Sequence, residues 1–255
     1  MKRYVSILII TVAAVLYYIQ DRYIRITDYF MIETTTPKDF SQFTFEDDFL
    51  TKAECAELST YIQNHPRMSE SDLGEQFKGT YGFQFTFRDA SVKYDVRNIE
   101  KMTGIDLKPI YKIYNKIKHP GTNVCLFNPL LINTSVTESE NSTAEPHYDT
   151  TINAMRLSRR VTPVCTTVVY IDVPDEFLWG RLALAKFGRT RTIDFAYIKP
   201  KVGRKVTFRG DAYHYVEPMY SEIPKKRISL VFEQYKLRPE EIQKCFRTMT
   251  WDIYE

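Results

Sequence analysis

The sequence predicts an α+β fold in which a jelly roll, the double-stranded β-helix arrangement, follows two flanking N-terminal helices. Apolar residues at helical spacing occur before Val124 and again at the C-terminus. From Val124 onward, short β-branched or aromatic runs alternate with Gly, Pro and Asp, which is typical of short strands joined by turns. Seven or eight such strands favour a jelly roll or a similar barrel.

Composition and charge narrow the class of protein. With 44% hydrophobic and 26% charged residues among 255, and without repeats, the chain can bury the core of one sizeable domain. A net charge of +3 is too small to indicate nucleic acid as a partner, and none is predicted. Arg156, Arg159 and Arg160 form a local basic cluster that we interpret as a solvated loop.

The four cysteines give no sign of a zinc or redox motif. They lack Cys-x-x-Cys spacing and are scattered over Cys55, Cys125, Cys165 and Cys245. Structural thiols are therefore predicted, and a disulfide stays open as an alternative in an oxidising compartment.

The N-terminus carries an apolar run that resembles a membrane segment. Tyr4 to Ile19 contain no charge, and Lys2 and Arg3 precede them. The run falls between the length of a signal-peptide core and the ~20 residues of a spanning helix, and no small-x-small cleavage site follows it. We predict that residues 1–20 form an uncleaved signal anchor, a single transmembrane helix with the domain facing the lumen of the endoplasmic reticulum or Golgi. A cleaved signal peptide and a buried helix are the alternatives.

Residues 21–42 are interpreted as a linker and residues 43–255 as the folded domain. Sequons at Asn133 and Asn141 agree weakly with a secretory lumen, because such tripeptides also arise by chance. Thr51 and Glu54 have the spacing of a capping box and predict the start of a first helix that ends near Pro66. Its apolar positions are Cys55, Leu58 and Ile62.

Two further helices follow from the same spacing rule. The second should run from about Leu107 to Lys118 and stop before Pro120. Its predicted buried stripe consists of Leu107, Ile110, Tyr111, Tyr114 and Ile117. The C-terminal piece, Pro239 to Glu255, also looks helical, with Ile242 and Phe246 as its contacts.

Seven runs are predicted to be strands on the basis of their β-branched and aromatic residues. They are Val124 to Ile132, Val164 to Val173, Arg181 to Phe187, Ile193 to Ile198, Arg204 to Phe208, Tyr213 to Val216 and Arg227 to Tyr235. The segments Ser69 to Asp95 and Thr150 to Pro163 are interpreted as loops that contact a substrate.

Three residues form a candidate metal site. His147 and Asp149 stand two positions apart, so in an extended segment both side chains leave the same face. His214 lies far along the chain in a different predicted strand. Two imidazoles and one carboxylate make a facial triad that leaves adjacent positions open on Fe(II). His65 and His119 each precede proline after a helix and are interpreted as solvated helix ends.

A candidate anion site lies on the last predicted strand. Arg227 and Ser229 share one face of that strand, whereas Ile228, Leu230 and Phe232 point the other way into packing. A guanidinium can bind a carboxylate through two parallel hydrogen bonds, and the serine hydroxyl can add a third. A structural ion pair is the alternative reading of Arg227.

The order His147-x-Asp149, His214, Arg227-x-Ser229 resembles the Fe(II)/2-oxoglutarate-dependent dioxygenases, most closely their prolyl 4-hydroxylase-like branch. The segment from Phe45 to Leu58 is similar to the acidic-acidic-Phe-Leu…Glu-Cys…Leu entry of that branch. The resemblance implies a cupin-like barrel with Fe(II), 2-oxoglutarate and O2, and it adds ascorbate as a candidate accessory cofactor.

What the resemblance implies about residues is specific. His147, Asp149 and His214 match the catalytic metal ligands, and Arg227 matches the basic residue that binds 2-oxoglutarate. Prolyl 4-hydroxylases typically use lysine at that position, and their Gly-Gly-acidic turn appears here as Trp179-Gly180-Arg181. These departures put peptidyl-proline specificity in doubt.

The predicted activity is hydroxylation of an unactivated C–H, with 2-oxoglutarate and O2 converted to succinate and CO2. The substrate is a protein side chain such as peptidyl proline, or alternatively a small molecule or a lipid, which a membrane anchor would suit. A non-catalytic β-helix that holds a structural ion is the third hypothesis.

Overall fold

The computed structural model of the protein describes residues 32–33, 35–69, 80–88, 97–98, 100–101, 106–134, 143–152, 160–186 and 194–248. The predicted signal anchor lies outside these residues, as do most of the linker and the arginines Arg156 and Arg159. Within the described ranges, no helix has the length and apolarity needed to cross a membrane.

Most elements of the described chain are strands, with two α-helices before Val124 and one after Tyr235. The helices are α1 (Lys52–Gln63), α2 (Lys108–Ile117) and α3 (Pro239–Thr248). The strands are β1 (Ile32–Glu33), β2 (Phe43–Glu46), β3 (Thr80–Gly82), β4 (Phe85–Arg88), β5 (Val124–Asn133), β6 (Ala144–His147), β7 (Arg160–Val161), β8 (Cys165–Asp172), β9 (Leu178–Trp179), β10 (Leu182–Lys186), β11 (Asp194–Ile198), β12 (Lys205–Arg209), β13 (His214–Val216), β14 (Met219–Tyr220) and β15 (Lys226–Tyr235).

Two antiparallel sheets form the body of the domain. The major sheet has seven strands, in the order β2-β12-β8-β15-β5-β3, with β4 also paired to β5. The minor sheet has four, in the order β11-β10-β13-β6. A cluster of buried residues joins the two sheets, with Val168 and Phe208 from the major sheet against Leu182 and Leu184 from the minor one. This mostly antiparallel, two-sheet arrangement is consistent with the predicted jelly roll.

The outer face of the major sheet packs against the first two helices. Ile228, Leu230 and Phe232 belong to this core, as their alternation along the strand predicted. All three are fully buried, and burying such side chains stabilises the fold by roughly 1.5–3 kcal/mol each. Phe232 lies against Phe127 of the neighbouring strand, with ring centroids 5.0 Å apart.

The predicted helices are present with nearly the predicted bounds. Thr51 caps α1, because its side chain accepts from the Glu54 backbone N–H while the Glu54 side chain accepts from the Thr51 backbone. In α2, Ile113 is buried although it was not predicted to be, whereas Tyr111 and Ile117 are only partly buried. In α3, Ile242 packs as predicted, while the Phe246 side chain and residues 249–255 lie outside the described part.

All seven predicted runs contain a strand, although Phe187 and Ile193 lie outside the described residues, and several shorter strands were not predicted. The prediction of a loop from Ser69 to Asp95 was wrong at β3 and β4, which extend one edge of the major sheet by pairing with β5. The strands β9 and β14 pair only with each other. These strands have two to four residues, too few for an alternation of apolar and polar residues to be recognised.

Candidate metal centre

The minor sheet brings the two predicted histidine ligands together. His147 is the last residue of β6 and His214 is the first residue of β13. These strands pair antiparallel, with the Cα atoms of His147 and His214 directly opposite each other. Cross-strand neighbours of this kind have Cβ atoms ~5 Å apart, and the two ring centroids lie 4.4 Å apart. Asp149 follows two residues after β6 ends.

The donor atoms of these three residues converge. The Oδ1 atom of Asp149 lies 3.7 Å from Nε2 of His147 and 3.6 Å from Nε2 of His214. All three donor atoms fall within 4.8 Å of one another. Two donors that each bind one ion at ~2.1 Å can lie at most ~4.2 Å apart, so both measured distances are compatible with a single shared ion.

Backbone carbonyls set the tautomer of both histidines. Nδ1 of His147 lies 2.5 Å from the Glu145 carbonyl, and Nδ1 of His214 lies 2.9 Å from the Ala212 carbonyl. A carbonyl oxygen can only accept, so each Nδ1 donates its hydrogen and each neutral Nε2 keeps its lone pair. This arrangement orients the rings as metal ligands.

Asp149 is held so that only one oxygen faces the histidines. Its side chain is buried, and its Oδ2 accepts a hydrogen bond of 2.5 Å from the Thr166 hydroxyl. Burial raises the pKa of this carboxyl, but His214, His147 and Thr166 outweigh burial, so that the pKa lies below its usual range. Asp149 is therefore ionised at neutral pH. Thr166 was not predicted, because a threonine within a strand carries no sequence signal for this role.

The pKa values of the two histidines are shifted in opposite directions. Burial lowers the pKa of His214, the more deeply enclosed ring. For His147 burial acts in the same direction, but the neighbouring Asp149 carboxylate outweighs burial and raises the pKa. A cation that binds between the rings therefore competes with a proton on His147.

Arg227 is a buried cation without a described counterion. It is 2% exposed, and its Nη1 donates to the Gly180 carbonyl at 2.5 Å, while its Nε has no hydrogen-bond partner. The guanidinium lies 5.8 Å from the ring centroid of Tyr170. Burial lowers its pKa, yet an arginine stays charged in proteins. No carboxylate in the described part of the chain pairs with Arg227, so no described acidic side chain compensates its charge.

One cavity of about 490 Å³ connects the three-donor cluster with Arg227 and Ser229. Ser229 is buried on the same face of β15 as Arg227. Apolar side chains form much of the remaining wall, and they include Leu130, Val168, Leu182, Phe208 and Val231. Two side chains that the sequence analysis did not single out, Tyr170 and Glu233, also face the cavity.

The predicted substrate loops contribute only in part. Gln84, from the segment that contains β3 and β4, lines the cavity. Thr150 and Thr151 do so from the start of the second segment, whose residues 153–159 lie outside the described part. His65 was predicted to be solvated, but that prediction was wrong, since it is buried and stacks on Phe83 with ring centroids 3.8 Å apart.

The Trp179-Gly180-Arg181 turn lies at the end of the cavity that contains Arg227. Gly180 has a φ of 68°, and a Cβ atom there would approach Cγ of Met219 to 3.2 Å. Its carbonyl is the acceptor for Arg227, and the Arg181 guanidinium pairs with Glu217 at 2.6 Å. The turn is therefore tied to the cavity by backbone and not through an acidic side chain.

No protein-family model and no curated protein matches the sequence. Similar solved structures include a prolyl 4-hydroxylase from Pseudomonas putida, 13% identical with a TM-score of 0.48 over 77% of this chain and 94% of that one. A viral collagen prolyl hydroxylase from Paramecium bursaria Chlorella virus-1, solved as a 2-oxoglutarate complex, is 17% identical with a TM-score of 0.41 over 76% and 96%. An Fe(II)/α-ketoglutarate-dependent dioxygenase, TqaL, is 11% identical with a TM-score of 0.46 over 77% and 83%.

By their names, these structures belong to the class of enzymes that the sequence motif resembles. At such low identity and with TM-scores below 0.5, the function must be argued from the residues of this cavity.

Proposed function

We propose that this protein is an Fe(II)- and 2-oxoglutarate-dependent dioxygenase that hydroxylates an unactivated C–H. The observation that carries the proposal is the pairing, in one cavity, of a three-donor cluster with a buried and uncompensated guanidinium. The cluster can bind a metal ion, and the guanidinium can bind an anionic group of a molecule that occupies the same cavity.

The donor set fits iron. Two imidazoles and one carboxylate are the facial triad of non-haem Fe(II) oxygenases, in which the remaining positions accept other ligands. When bound, iron and 2-oxoglutarate would supply the oxidising chemistry, with O2 as oxidant and succinate and CO2 as products. His147, Asp149 and His214 would hold the iron, and Thr166 would keep Asp149 turned toward it.

The other residues would bind and orient the co-substrate. Arg227 can donate from Nε, which has no partner, to the distal carboxylate of 2-oxoglutarate, and Ser229 can donate to the same group. Tyr170 packs beside the guanidinium at this end. The apolar wall around Leu182 and Phe208 excludes water from the reacting atoms.

The first experiment is an anaerobic titration with Fe(II) and 2-oxoglutarate. The expected result is a weak visible charge-transfer band from the chelate, followed by succinate release on exposure to O2. His147→Ala and Asp149→Ala should lose both signals, whereas His119→Ala, a histidine outside the cavity, should keep them. Succinate production that is unchanged in the two ligand variants would defeat the proposal. A structural ion-binding protein would bind metal without consuming 2-oxoglutarate.

The co-substrate site has its own test. Replacing Arg227 by methionine keeps the length and apolar packing of the side chain but removes the charge. We expect the 2-oxoglutarate concentration needed for half-maximal binding to rise by at least ~100-fold, because a lost bidentate ion pair in a buried site is worth several kcal/mol. Lys205→Met is the matched control. Lys205 does not line the cavity, and its Nζ lies 2.6 Å from Oε2 of Glu46. Equal affinity in all three proteins would contradict the role of Arg227.

The substrate is a separate part of the proposal. A protein side chain, peptidyl proline among them, is the first candidate, and a small molecule or lipid is the second. Mass spectrometry of the oxygenated product separates them.

The membrane location is also a proposal. The apolar run from Tyr4 to Ile19 supports a signal anchor that holds the domain in a secretory lumen. We expect the full-length protein to stay in the membrane pellet after alkaline carbonate extraction. Release into the supernatant would contradict the anchor.

A further inference from the structure

Glu233 is a buried carboxyl in the cavity to which the proposed chemistry gives no task. It is 4% exposed and shares a face of β15 with Arg227 and Ser229. Its Cα partner in the neighbouring strand is Thr166, the residue whose hydroxyl holds Asp149. Glu233 therefore lies at the end of the cavity that contains the three-donor cluster. Arg227 lies six residues earlier on the same strand, which is a Cα separation of ~20 Å.

Neutral groups hold this carboxyl in place. The Thr151 hydroxyl donates to Oε1 at 2.8 Å, and the Tyr235 hydroxyl donates to Oε2. Within the described part of the chain, no lysine or arginine forms an ion pair with Glu233. Burial, together with the nearby charge of Asp149, raises the pKa of Glu233 to about 8, against smaller opposing effects of the two hydroxyls and His147. The side chain is oriented by two hydroxyls, but the described protein residues supply no cation that would keep it ionised at neutral pH.

The other charges of the loaded site balance without Glu233. A ferrous ion and Arg227 offset the Asp149 carboxylate and the two carboxylates of 2-oxoglutarate. Both histidines are neutral as ligands, and the remaining cavity wall is uncharged apart from Glu233. An ionised Glu233 therefore requires one more positive charge, and a fixed buried carboxylate facing open space is a site for a cation.

We infer that Glu233 binds a cationic nitrogen of the substrate, an alkylammonium or guanidinium group, next to the metal centre. The inference rests on the proposed function, because it assigns the substrate class of the same cavity. Thr151 and Tyr235 orient the carboxylate, and the apolar side chains Leu130, Val168 and Val231 line the adjacent wall, where an alkyl chain would pack. Glu233 is thereby the specificity-determining residue, and acidic substrates are disfavoured.

The test compares charged and neutral probes of similar shape on the full-length protein loaded with Fe(II) and 2-oxoglutarate. The probes are N-acetyl-lysine methylamide against N-acetyl-norleucine methylamide, and N-acetyl-arginine methylamide against N-acetyl-citrulline methylamide. Anaerobic binding is followed by the shift that each probe causes in the charge-transfer band. We expect at least one cationic probe to bind about tenfold or more tightly than its neutral partner, as a desolvated ion pair should.

Variants then assign the preference to this carboxyl. Glu233→Gln keeps the shape and removes the charge, so the preference should fall to about onefold. Glu233→Asp keeps the charge and should retain part of it. Equal binding of charged and neutral probes to the wild type, or no binding of either cationic probe at millimolar concentration, overturns the inference. So does a preference that survives in Glu233→Gln.

The failure of this inference is distinguishable from the failure of the proposed function. A wild-type protein without the charge-transfer band contradicts the proposed function. A wild-type protein with the band but without a preference for cations contradicts only the role of Glu233. This comparison uses the wild type alone, so it stands even if a Glu233 variant does not fold.

Discussion

The two sheets of this domain differ in strand length and in packing, yet both contribute residues to the cavity. The major sheet contains the ten-residue strands β5 and β15 and packs against α1 and α2. The minor sheet has strands of three to five residues. Yet the minor sheet supplies His147 and His214, while the major sheet supplies Thr166, Arg227 and Glu233.

This division shows that neither sheet holds a site by itself. The residues to which we assign anion and cation binding, Arg227 and Glu233, stand on the long strand β15, whose other face packs against the helices. The metal donors stand at the ends of short strands, where the chain can turn Asp149 back toward its neighbours. The site exists only when the two sheets face each other, and four predictions probe this dependence.

The largest expected effect on stability is at the helix side of the major sheet. Phe232→Ala should lower the free energy of unfolding by about 3–5 kcal/mol, because it leaves a cavity in a core that relaxes only partly. Tyr197→Ala, on the minor sheet with a side chain 46% exposed, should lower it by less than about 1 kcal/mol. Urea unfolding of both variants measures the difference, and similar losses would refute the division between the sheets.

The second effect lies where the sheets meet. The pKa of Glu233 is raised from 4.5 to about 8 in the folded protein. Folding with a raised carboxyl pKa is favoured below the unfolded value and becomes less favourable as pH rises through the folded value. Gln does not titrate, so the stability of Glu233→Gln relative to wild type should increase by a few kcal/mol between roughly pH 5 and pH 9.

That comparison uses metal-free protein in the presence of a chelator, with unfolding measured at each pH. Other ionisable groups titrate in both proteins, so their contributions largely cancel in the difference. A stability difference that stays flat with pH would show that Glu233 is ionised throughout.

A third prediction concerns the contact between the sheets. Thr166→Val removes the hydroxyl that holds Asp149 and should weaken metal binding by about 10–100-fold. Thr167→Val is the matched control, because the Thr167 hydroxyl pairs with Thr207 at 3.1 Å and not with a ligand. Titration with Fe(II) under anaerobic conditions measures both. If the control weakens metal binding as much as Thr166→Val does, Thr166 has no special role.

The smallest effect is expected at the start of α1. Thr51→Ala removes the capping box and should lower the free energy of unfolding by about 1 kcal/mol without changing metal affinity. Thr60→Ala, within the same helix, removes only a hydroxyl that donates to the Ala56 carbonyl, and its effect should be smaller. A loss of metal affinity in Thr51→Ala would show that the helix layer and the site are coupled.

Much of the major sheet could be predicted from the sequence because its strands are long. Arg227 and Ser229 fall on one face and Ile228 and Leu230 on the other, and this period of two is legible over ten residues. Glu233 is an even number of residues from Arg227, so the sequence could have predicted that both side chains lie on the same face of the strand. Its position near the metal site depends on the pairing of Glu233 with Thr166 in the neighbouring strand, and local sequence patterns do not determine this pairing.

The convergence of the three metal donors was predicted from their residue types and from the family resemblance. The pairing of His147 with His214 depends on which short strands are neighbours, and local patterns do not determine this. Thr166 and Tyr170 lie on a predicted strand, but nothing in their residue type indicates that they face the metal site. The strands β3 and β4 were missed because three and four residues are too few to show an alternation of apolar and polar side chains.

The position of His147 opposite His214 has a consequence for the chain as a whole. An ion bound there would join segments far apart in sequence, and because it would bind the folded protein and not the unfolded chain, it would stabilise the fold by mass action. The protein would then be most resistant to unfolding when its metal is abundant. When the metal is scarce, the protein would lose both its catalytic ion and the stability that the ion provides. Molecules without metal would therefore unfold more often and be degraded by proteases first.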